Sequence, residues 1–392
     1  MEKLDKILNA KNFFFVLLLL LGLGVSIQAL LEGTRSIAGG EYTHYNNYLI
    51  FKQSFYHLIG YNDLYAAYPK EHFDFFKYSP TFAILFGAFA ILPDFLGLSL
   101  WNVTNLLMLL LALYAIPNFD KKWIGAIVLL SIFELVTTAQ NEQSNTLMIA
   151  FFVLTFVSLE RQNQFLACFF ISLAIYTKLY AIVGLSLFIL YPGKLKNALW
   201  LGVCMLGLFL LPLLAVDWHQ LIFQYKSWFS LLGREHDQIY GISVMGWLHT
   251  WFNLNVHKAL PVVFGVVLFC IPLLQFRKYK DWSFRILFLC SILIWVVIFN
   301  HRAESASYII AYIGVCIWFV VGQKNKLRIA LMALCFLLVT ISPTDLFPRM
   351  WREEFVQAYT LKAVPVIVVW LFVIMDMIVL PSSKLEASNA EK

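Results

Sequence analysis

EGTRSIAGGEYTHYNNYLIFKQSFYHLIGYNDLYAAYPKEHFDFFKYSPTF, residues 32–82, follows the first long apolar run of the chain. It gathers acids, amides, histidines and tyrosines between two hydrophobic runs, whereas most other long segments are plainly apolar. Residues 46–59 within it read as an amphipathic helix. At helical spacing Tyr48, Phe51, Phe55, Leu58 and Ile59 share one face, and Asn46, Asn47, Gln53, Ser54 and His57 lie opposite. A helix of this kind directly after a span is expected to lie in the membrane surface, apolar face down and polar face up. The loop then forms the roof of a chamber at the bilayer surface, and the other helices hold it there.

The rest of the chain fits that reading. Of 392 residues, 61% are hydrophobic and 13% charged, and the mean hydropathy is +0.75. That is far more apolar surface than a soluble domain needs, and the runs are continuous rather than alternating, so a β-barrel is excluded. Residues 13–31 are close to the roughly 20 a span requires and read as an uncleaved first helix. The net charge of +6 sits at loop ends, which fits retention of cytoplasmic loops and not nucleic-acid binding. All six cysteines lie in apolar runs without ligand spacing. They read as buried hydrophobes, with no disulfide and no zinc site.

Thirteen apolar segments can be counted between residues 13 and 380. Lys3, Lys6 and Lys11 place the N-terminus in the cytoplasm. Lys121/Lys122, Arg161, Lys194/Lys196, Arg277/Lys278/Lys280 and Lys324/Lys326/Arg328 mark cytoplasmic loops, and the tail after Leu380 falls on the same side. Two cytoplasmic termini need an even number of spans. Residues 79–93 are short and bounded by Ser79-Pro80 and Pro93-Asp94, so they are the preferred segment that does not cross. The rival solution keeps 79–93 as a span, fuses 165–191 into one helix and buries Lys178 in mid-membrane. The preferred solution is an all-α, polytopic bundle of about twelve spans forming one integral membrane domain over 1–392. It has a first outer loop at 32–78 and a second large one at 216–258. All eight histidines, His236 among them, then fall on the outer side.

The polar residues of that side are the candidates for chemistry. In the opening loop Glu41 follows Gly39-Gly40 and is a candidate base for a hydroxyl presented at the surface. Glu134, Thr138, Asn141, Glu142 and Asn145 form one helical stripe that must face protein or a cavity, not lipid. Lys178, and His301 with Arg302 and Glu304, offer cations suited to an anionic head group, the guanidinium fork matching phosphate oxygens. The aromatics of 216–258, including Trp218, Trp228, Trp247 and Trp251, describe an interfacial belt or a stacking surface for sugar. No Walker loop, nucleophile elbow or zinc-protease motif is present. No His/Asp/Glu set has ligand spacing, so no metal site and no cofactor is assigned, although a divalent metal stays open.

With those residues in view, the chain resembles the GT-C glycosyltransferases, and more narrowly the polyprenyl-phosphate-mannose-dependent mannosyltransferases. The carrying residues are 48–65, which end in a Gly-x-x-x-Leu-Tyr, and Lys77-Tyr78-Ser79-Pro80-Thr81-Phe82. Gln140–Asn145 stand for a Gly-Gln-x-Asn with Ala139 in place of the Gly, Ile175–Lys178 for a hydrophobic-then-lysine motif, and Asn300–Glu304 for an element at a helix start. The resemblance implies juxtamembrane helices in the first outer loop and an active site on the outer face. It also implies a lipid-linked sugar donor, an inverting hexosyl transfer, and a loop acid as base. The family aspartate falls at Asn46 or Asn47, and an amide is no base. Glu41 is the favoured replacement and Asp74 the other. Asn46, Asn47, Lys77, Tyr78, Gln140, Glu142, Lys178, His301, Arg302 and Glu304 are the expected substrate and lipid-phosphate contacts. The reading is a glycosyltransferase of the cytoplasmic membrane that moves a hexose, mannose being the candidate, to a lipid, glycan or protein acceptor outside. A transporter or flippase of a lipid-linked sugar is the alternative.

Overall fold

The structure is a computed structural model and describes residues 11–234, 240–255 and 257–379. Lys3, Lys6, His236 and the tail from Leu380 lie outside the described residues. Leu-, Phe- and Val-rich runs give helices long and apolar enough to cross a membrane at α1 (Lys11–Leu31), at α4 (Asp94–Ala115) and over Lys194–Leu214, where Pro212 falls in a final 3₁₀ turn. A bent pair, Lys122–Leu130 and Ile132–Gln140 (α5 and α6), meets at 57° and adds a fourth crossing when taken together. The further apolar helices run 10–17 residues each. They include α7 (Asn145–Glu160), α8 (Gln164–Thr177), α13 (Trp282–Ile298), α14 (Tyr308–Val321) and α16 (Ala363–Val379). The fold is nearly all-α. Its one sheet among the described residues is a hairpin of β1 (Thr34–Ile37) and β2 (Gly40–Thr43).

The basic residues gather at one end of the bundle, where they close helix C-termini. Lys121 donates to the carbonyls of Tyr114 and Ile116, Lys194 to Phe188, Ile189 and Tyr191, Lys324 to Phe319 and Val320, and Lys278 to Met377 and Ile378. The last carbonyls of a helix have no internal partner and carry the negative end of its dipole, so a lysine there is doubly favourable. The polar loops lie at the opposite end.

Residues 165–191 are not one helix. α8 ends at Thr177, Lys178 is extended (φ −143, ψ 117), and Leu179–Leu190 form a 3₁₀ segment. Lys178 bonds Asn145 at the polar end, while Tyr191 bonds Glu160 at the basic end. The two segments are therefore antiparallel. At about 2.0 Å per residue the 12 residues of the 3₁₀ segment rise about 24 Å, as much as the 16 α-helical residues of α7 at about 1.5 Å.

Residues 80–90 form α3, which does not leave the polar end. Both its flanks are tied to the same helix, α2 (Asn46–Ile59). Phe51 of α2 meets the rings of Tyr78, Phe82, Phe86 and Trp101 at 4.8–5.9 Å. Beyond the other flank, Tyr56 bonds the Ala90 carbonyl and Lys52 bonds Asp94. The edge-to-face rings add about 0.5–1.5 kcal/mol per pair to simple burial.

α2 itself differs from the amphipathic expectation in one respect. Tyr48, Phe51 and Leu58 of the apolar face are buried, but so are Asn46, Ser54 and His57 of the polar face, while Ile59 is exposed. The reason is a second layer. Residues 61–78 fold back over α2, so that His57 stacks on Tyr68 at 3.7 Å and pairs with Glu71 at 2.9 Å. The helix is sandwiched, and its polar face meets protein and not bulk water.

One buried ion pair fastens the polar end. Lys362 lies 2.8 Å from Glu134 and donates to the Ser305 carbonyl and hydroxyl, and both charged side chains are almost fully buried. Removing one partner strands a charge, at a cost of about 3–5 kcal/mol. Lys362→Met is expected to lower the thermal midpoint of the detergent-solubilised protein sharply. Glu134→Gln combined with Lys362→Met should recover most of that loss, and equal losses for single and double variants would show that the two side chains are not coupled.

Candidate active site

Four pieces of irregular backbone meet at the polar end: residues 72–79, 141–144, Lys178, and 299–307. Each is positioned by side chains that satisfy its backbone. The Asn46 side chain donates to the Phe73 carbonyl and accepts the Phe73 N–H, at 2.9 and 2.8 Å. Buried His72 donates from Nδ1 to the Asp74 carbonyl at 3.0 Å, and burial holds its pKa below the ordinary histidine value. So clamped, Asp74 adopts φ +75, a left-handed conformation that a non-glycine residue keeps only under constraint. Its carboxylate accepts from the Phe75 N–H at 2.7 Å and from Lys77 at 2.8 Å. The field of Asp74 also reaches Arg302, whose pKa burial lowers and Asp74 partly restores.

Beside Asp74 opens a cavity of about 390 Å³. Gln28, Glu32 and Arg35 line it with His44, Asn46 and Asn47, and Gln140, Asn141 and Glu142 complete the polar wall. Glu32 pairs with His44 at 2.9 Å, Asn47 donates to the Asn141 carbonyl at 2.8 Å, and Gln140 donates to Gln28 at 3.3 Å. Glu142 is only 1% exposed, has φ +47, and its Oε1 has no hydrogen-bond partner. Burial pushes its carboxyl well above the usual carboxylate range, although Arg35 and the first N–H groups of α2, at Asn47 and Tyr48, favour the charged form.

On the other side of the same backbone stands a cationic group. Lys178 donates to Asn145 at 2.7 Å and lies 5.7 Å from the Tyr78 ring centroid. Burial brings its pKa down to about 8, against the opposing pull of Glu304. The Tyr78 hydroxyl meets Ser144 at 3.1 Å, and Glu304 acts on Tyr78 as well. The Arg302 backbone N–H bonds Asn300, and His301 is its neighbour in the same turn.

The sequence-predicted residues thus sort plainly. Asn46, Asn47, Asp74, Gln140 and Glu142 line the cavity. Lys77 pairs with Asp74, Arg302 lies within reach of its charge, and Tyr78, Lys178 and Glu304 form the adjoining cluster. Glu41 stands apart. Ala38 (φ 50) and Gly39 (φ 84) make the two-residue turn of the β1–β2 hairpin, so the glycines close a hairpin instead of bending Glu41 inward. Glu41 lies opposite Ser36, accepts its hydroxyl at 2.8 Å, and is exposed. Trp228 serves packing: buried, it donates to the Lys77 carbonyl at 3.0 Å. Among the described residues, no group of three or more His, Cys, Asp or Glu side chains has metal-binding geometry.

The family model of glycosyltransferase family 87 matches residues 75–299. The chain belongs to glycosyltransferase family 87. Its match starts one residue after Asp74 and stops just before Asn300. It therefore contains Lys77, Tyr78, the 140–145 turn and Lys178, and leaves the roof of the cavity and the Arg302 turn outside. A comparison with curated proteins finds no match. This family 87 chain is accordingly a membrane glycosyltransferase, with a sugar donor and an acceptor.

Sequence reasoning missed Lys362, and it passed over Glu32, Arg35 and the clamp on Phe73. A lone lysine one residue before an apolar run was the available signal for the first. The others became visible only when the hairpin folded over the cavity.

The buried Glu142 carries a pH dependence. A carboxyl whose pKa is raised by folding binds its proton more tightly in the folded state. Stability is then lost as pH climbs from the ordinary carboxylate value toward the folded one. Thermal midpoints measured from pH 5 to pH 9 should fall more for the wild type than for Glu142→Gln, which keeps the neutral shape. Parallel curves would show that Glu142 is ionised in the folded protein.

Proposed function

We propose that this family 87 protein transfers a hexose, mannose being the candidate, from a polyprenyl-phosphate donor to an acceptor on the outer face of the cytoplasmic membrane. It would have twelve spans and both termini inside. The observation that carries the reading is the place of Asp74, which lines the polar cavity, pairs with Lys77 and acts on Arg302, while Lys178 stands on the other side of the 141–144 turn. Both candidate acids are exposed, and geometry favours Asp74 because it lines the cavity whereas Glu41 sits on the hairpin away from the lining.

In the reaction an acceptor hydroxyl in the cavity gives its proton to the Asp74 carboxylate. Its oxygen bonds to the anomeric carbon from the face opposite the donor phosphate. The bond from that carbon to the phosphate oxygen breaks, and the lipid phosphate leaves with the electron pair, so the anomeric centre inverts. Arg302 and Lys178 meet the growing negative charge of the leaving phosphate. An apolar groove of about 450 Å³ on the far side of the 299–303 turn supports a lipid donor. Phe299, Val244, Phe264 and Trp370 line it, and Ile242 bonds the Ala303 carbonyl beside it. Family membership favours transfer chemistry over transport of a lipid-linked sugar.

Asp74→Asn is expected to fold, to bind the lipid phosphate and to lose transfer by at least about a hundredfold, the usual scale of general-base catalysis. Glu41→Gln should stay near the wild-type rate. The opposite outcome would return the base to Glu41, and two near-normal rates would remove the mechanism. Arg302→Ala should weaken donor use about ten- to a hundredfold, since a charge-assisted contact contributes about 1.5–3 kcal/mol. Sidedness is checked with single cysteines. Thr43→Cys and Ser230→Cys should react with an impermeant thiol reagent in intact cells, and Lys196→Cys only after permeabilisation.

A further inference from the structure

We infer that residues 349–359 and the end of the neighbouring helix Val244–Phe252 form an aromatic platform that rests in the outer surface of the bilayer. The partner is the membrane itself, at the boundary between head groups and acyl chains. The contact needs only the membrane reading and stands whatever the apolar groove carries.

Arg349–Trp351 form one α-helical turn, and Arg352–Gln357 continue it as a π-helix. Its faces have different surroundings. Val356 and Thr360 are buried against the bundle. Trp351, Phe355 and Tyr359, four residues apart, are exposed along one flank. At roughly 100° per residue, Glu353 and Gln357 fall on the opposite flank, where they too are exposed. One apolar flank, one polar flank and a third face on protein is the distribution of a helix lying in an interface. The apolar flank goes down and the polar flank stays in water.

The helix is fastened at both ends. Arg352 pairs with Asp345 at 2.8 Å, and beyond the last ring Lys362 is locked to Glu134 and Ser305. Trp251 donates to the Tyr359 carbonyl at 2.8 Å, so the exposed rings of Trp251 and Phe252 join the same surface at the polar end. Trp251 also meets Trp247 at 6.1 Å, and Trp247 lines the apolar groove with Val364 and Leu371 of α16. The apolar surface of the platform thus runs on into that of an apolar helix.

Ring geometry selects the bilayer over a sugar. Trp351 and Phe355 stack at 5.1 Å and 28°, and Phe355 and Tyr359 at 6.5 Å and 26°. Stacked so, the middle ring offers its edge and not its face. A sugar chain laid along the row needs faces, whereas head groups and acyl chains accept edges, with the indole and phenol tips in the wet layer. Charge does not drive the contact. Arg349 and Arg352 stand against Asp345, Glu353 and Glu354, and each arginine is paired with one of those acids. The attraction is apolar burial, which needs no anionic lipid.

Spin-label accessibility of the full chain in phosphatidylcholine vesicles tests this. The background is Cys270→Ser, which removes the one exposed native thiol. Single nitroxides are attached after Phe355→Cys, Phe252→Cys or Glu353→Cys. The ratio of collisions with oxygen to collisions with a nickel chelate should be at least about threefold higher at position 355 than at 353, since oxygen partitions into the apolar layer and the chelate into water. Adding phosphatidylglycerol to the vesicles should change that ratio by less than about twofold. Should Phe355→Cys fail to fold, Phe252→Cys decides by the same comparison. Equal ratios at the aromatic position and at 353 would put the platform in water, open to a soluble ligand, and would overturn the proposal. Shielding of the aromatic position from both reagents would overturn it as well, pointing to a protein or a second copy as the occupant. A high ratio seen only with phosphatidylglycerol would overturn the apolar basis of the contact.

Discussion

The Ala306 carbonyl accepts hydrogen bonds from Thr138 at 3.0 Å and Asn145 at 2.8 Å, and one residue earlier Lys362 holds Ser305 while pairing with Glu134. Everything at the polar end depends on this knot. Irregular backbone beside apolar helices must find partners within the protein, because lipid offers none. The 299–307 turn finds them on α6, on α7 and at the start of α16. A buried ion pair is a costly way to join helices, but a single geometry satisfies both charges, so it fixes position as much as it stabilises. The Arg302 turn is thereby held against the 140–145 turn, whose other side carries Lys178 and Glu142.

The opening loop is fastened by a different chemistry. Its lower surface is aromatic, centred on Phe51, and fixes height over α3 and α4 without fixing every side chain. Its upper surface is a set of backbone clamps: Asn46 on Phe73, His72 on Asp74, and Tyr65 on the Tyr78 carbonyl. Packing sets the layer and hydrogen bonds set the register. Asp63 with Ser227, and Gln224 with the backbone of residues 62–64, attach the helix Trp218–Arg234 to the same loop, so the aromatic second loop acts as a buttress.

Much of this was legible in the chain. Hydropathy revealed the helical bundle, since apolar runs of span length have few other fates. The α2 periodicity was legible for the same reason, and so was the burial of Glu134, Thr138, Glu142 and Asn145, whose cost in lipid forces them inward. The single helical stripe was not, since the helix ends at Gln140, Asn141 is exposed and Asn145 opens the next helix. What was not legible depended on long-range return of the chain. The Gly39-Gly40 pair reads equally as hinge or hairpin turn until the register Ser36–Glu41 exists. The buried polar face of α2 needs residues 61–78 to cover it, and no local pattern announces a second layer. Lys362 escaped notice because its partner lies 228 positions away. That Asp74 lines the cavity and Glu41 does not likewise became visible only once the hairpin was in place.

The two acids nearest the cavity, Asp74 and Glu142, share an uncommon property. Both adopt positive φ without being glycine, at +75 and +47. Such conformations cost of order 1–3 kcal/mol each and persist only where the surroundings over-determine them. Here the surroundings do: Asn46 and His72 bracket Asp74, while Trp101 donates to the Glu142 carbonyl at 2.7 Å and α2 begins against its carboxyl. The two residues then line one cavity in opposite settings, Asp74 exposed beside Lys77 and Glu142 buried. The strain of the two backbones is the physical cost of presenting both groups to the same space.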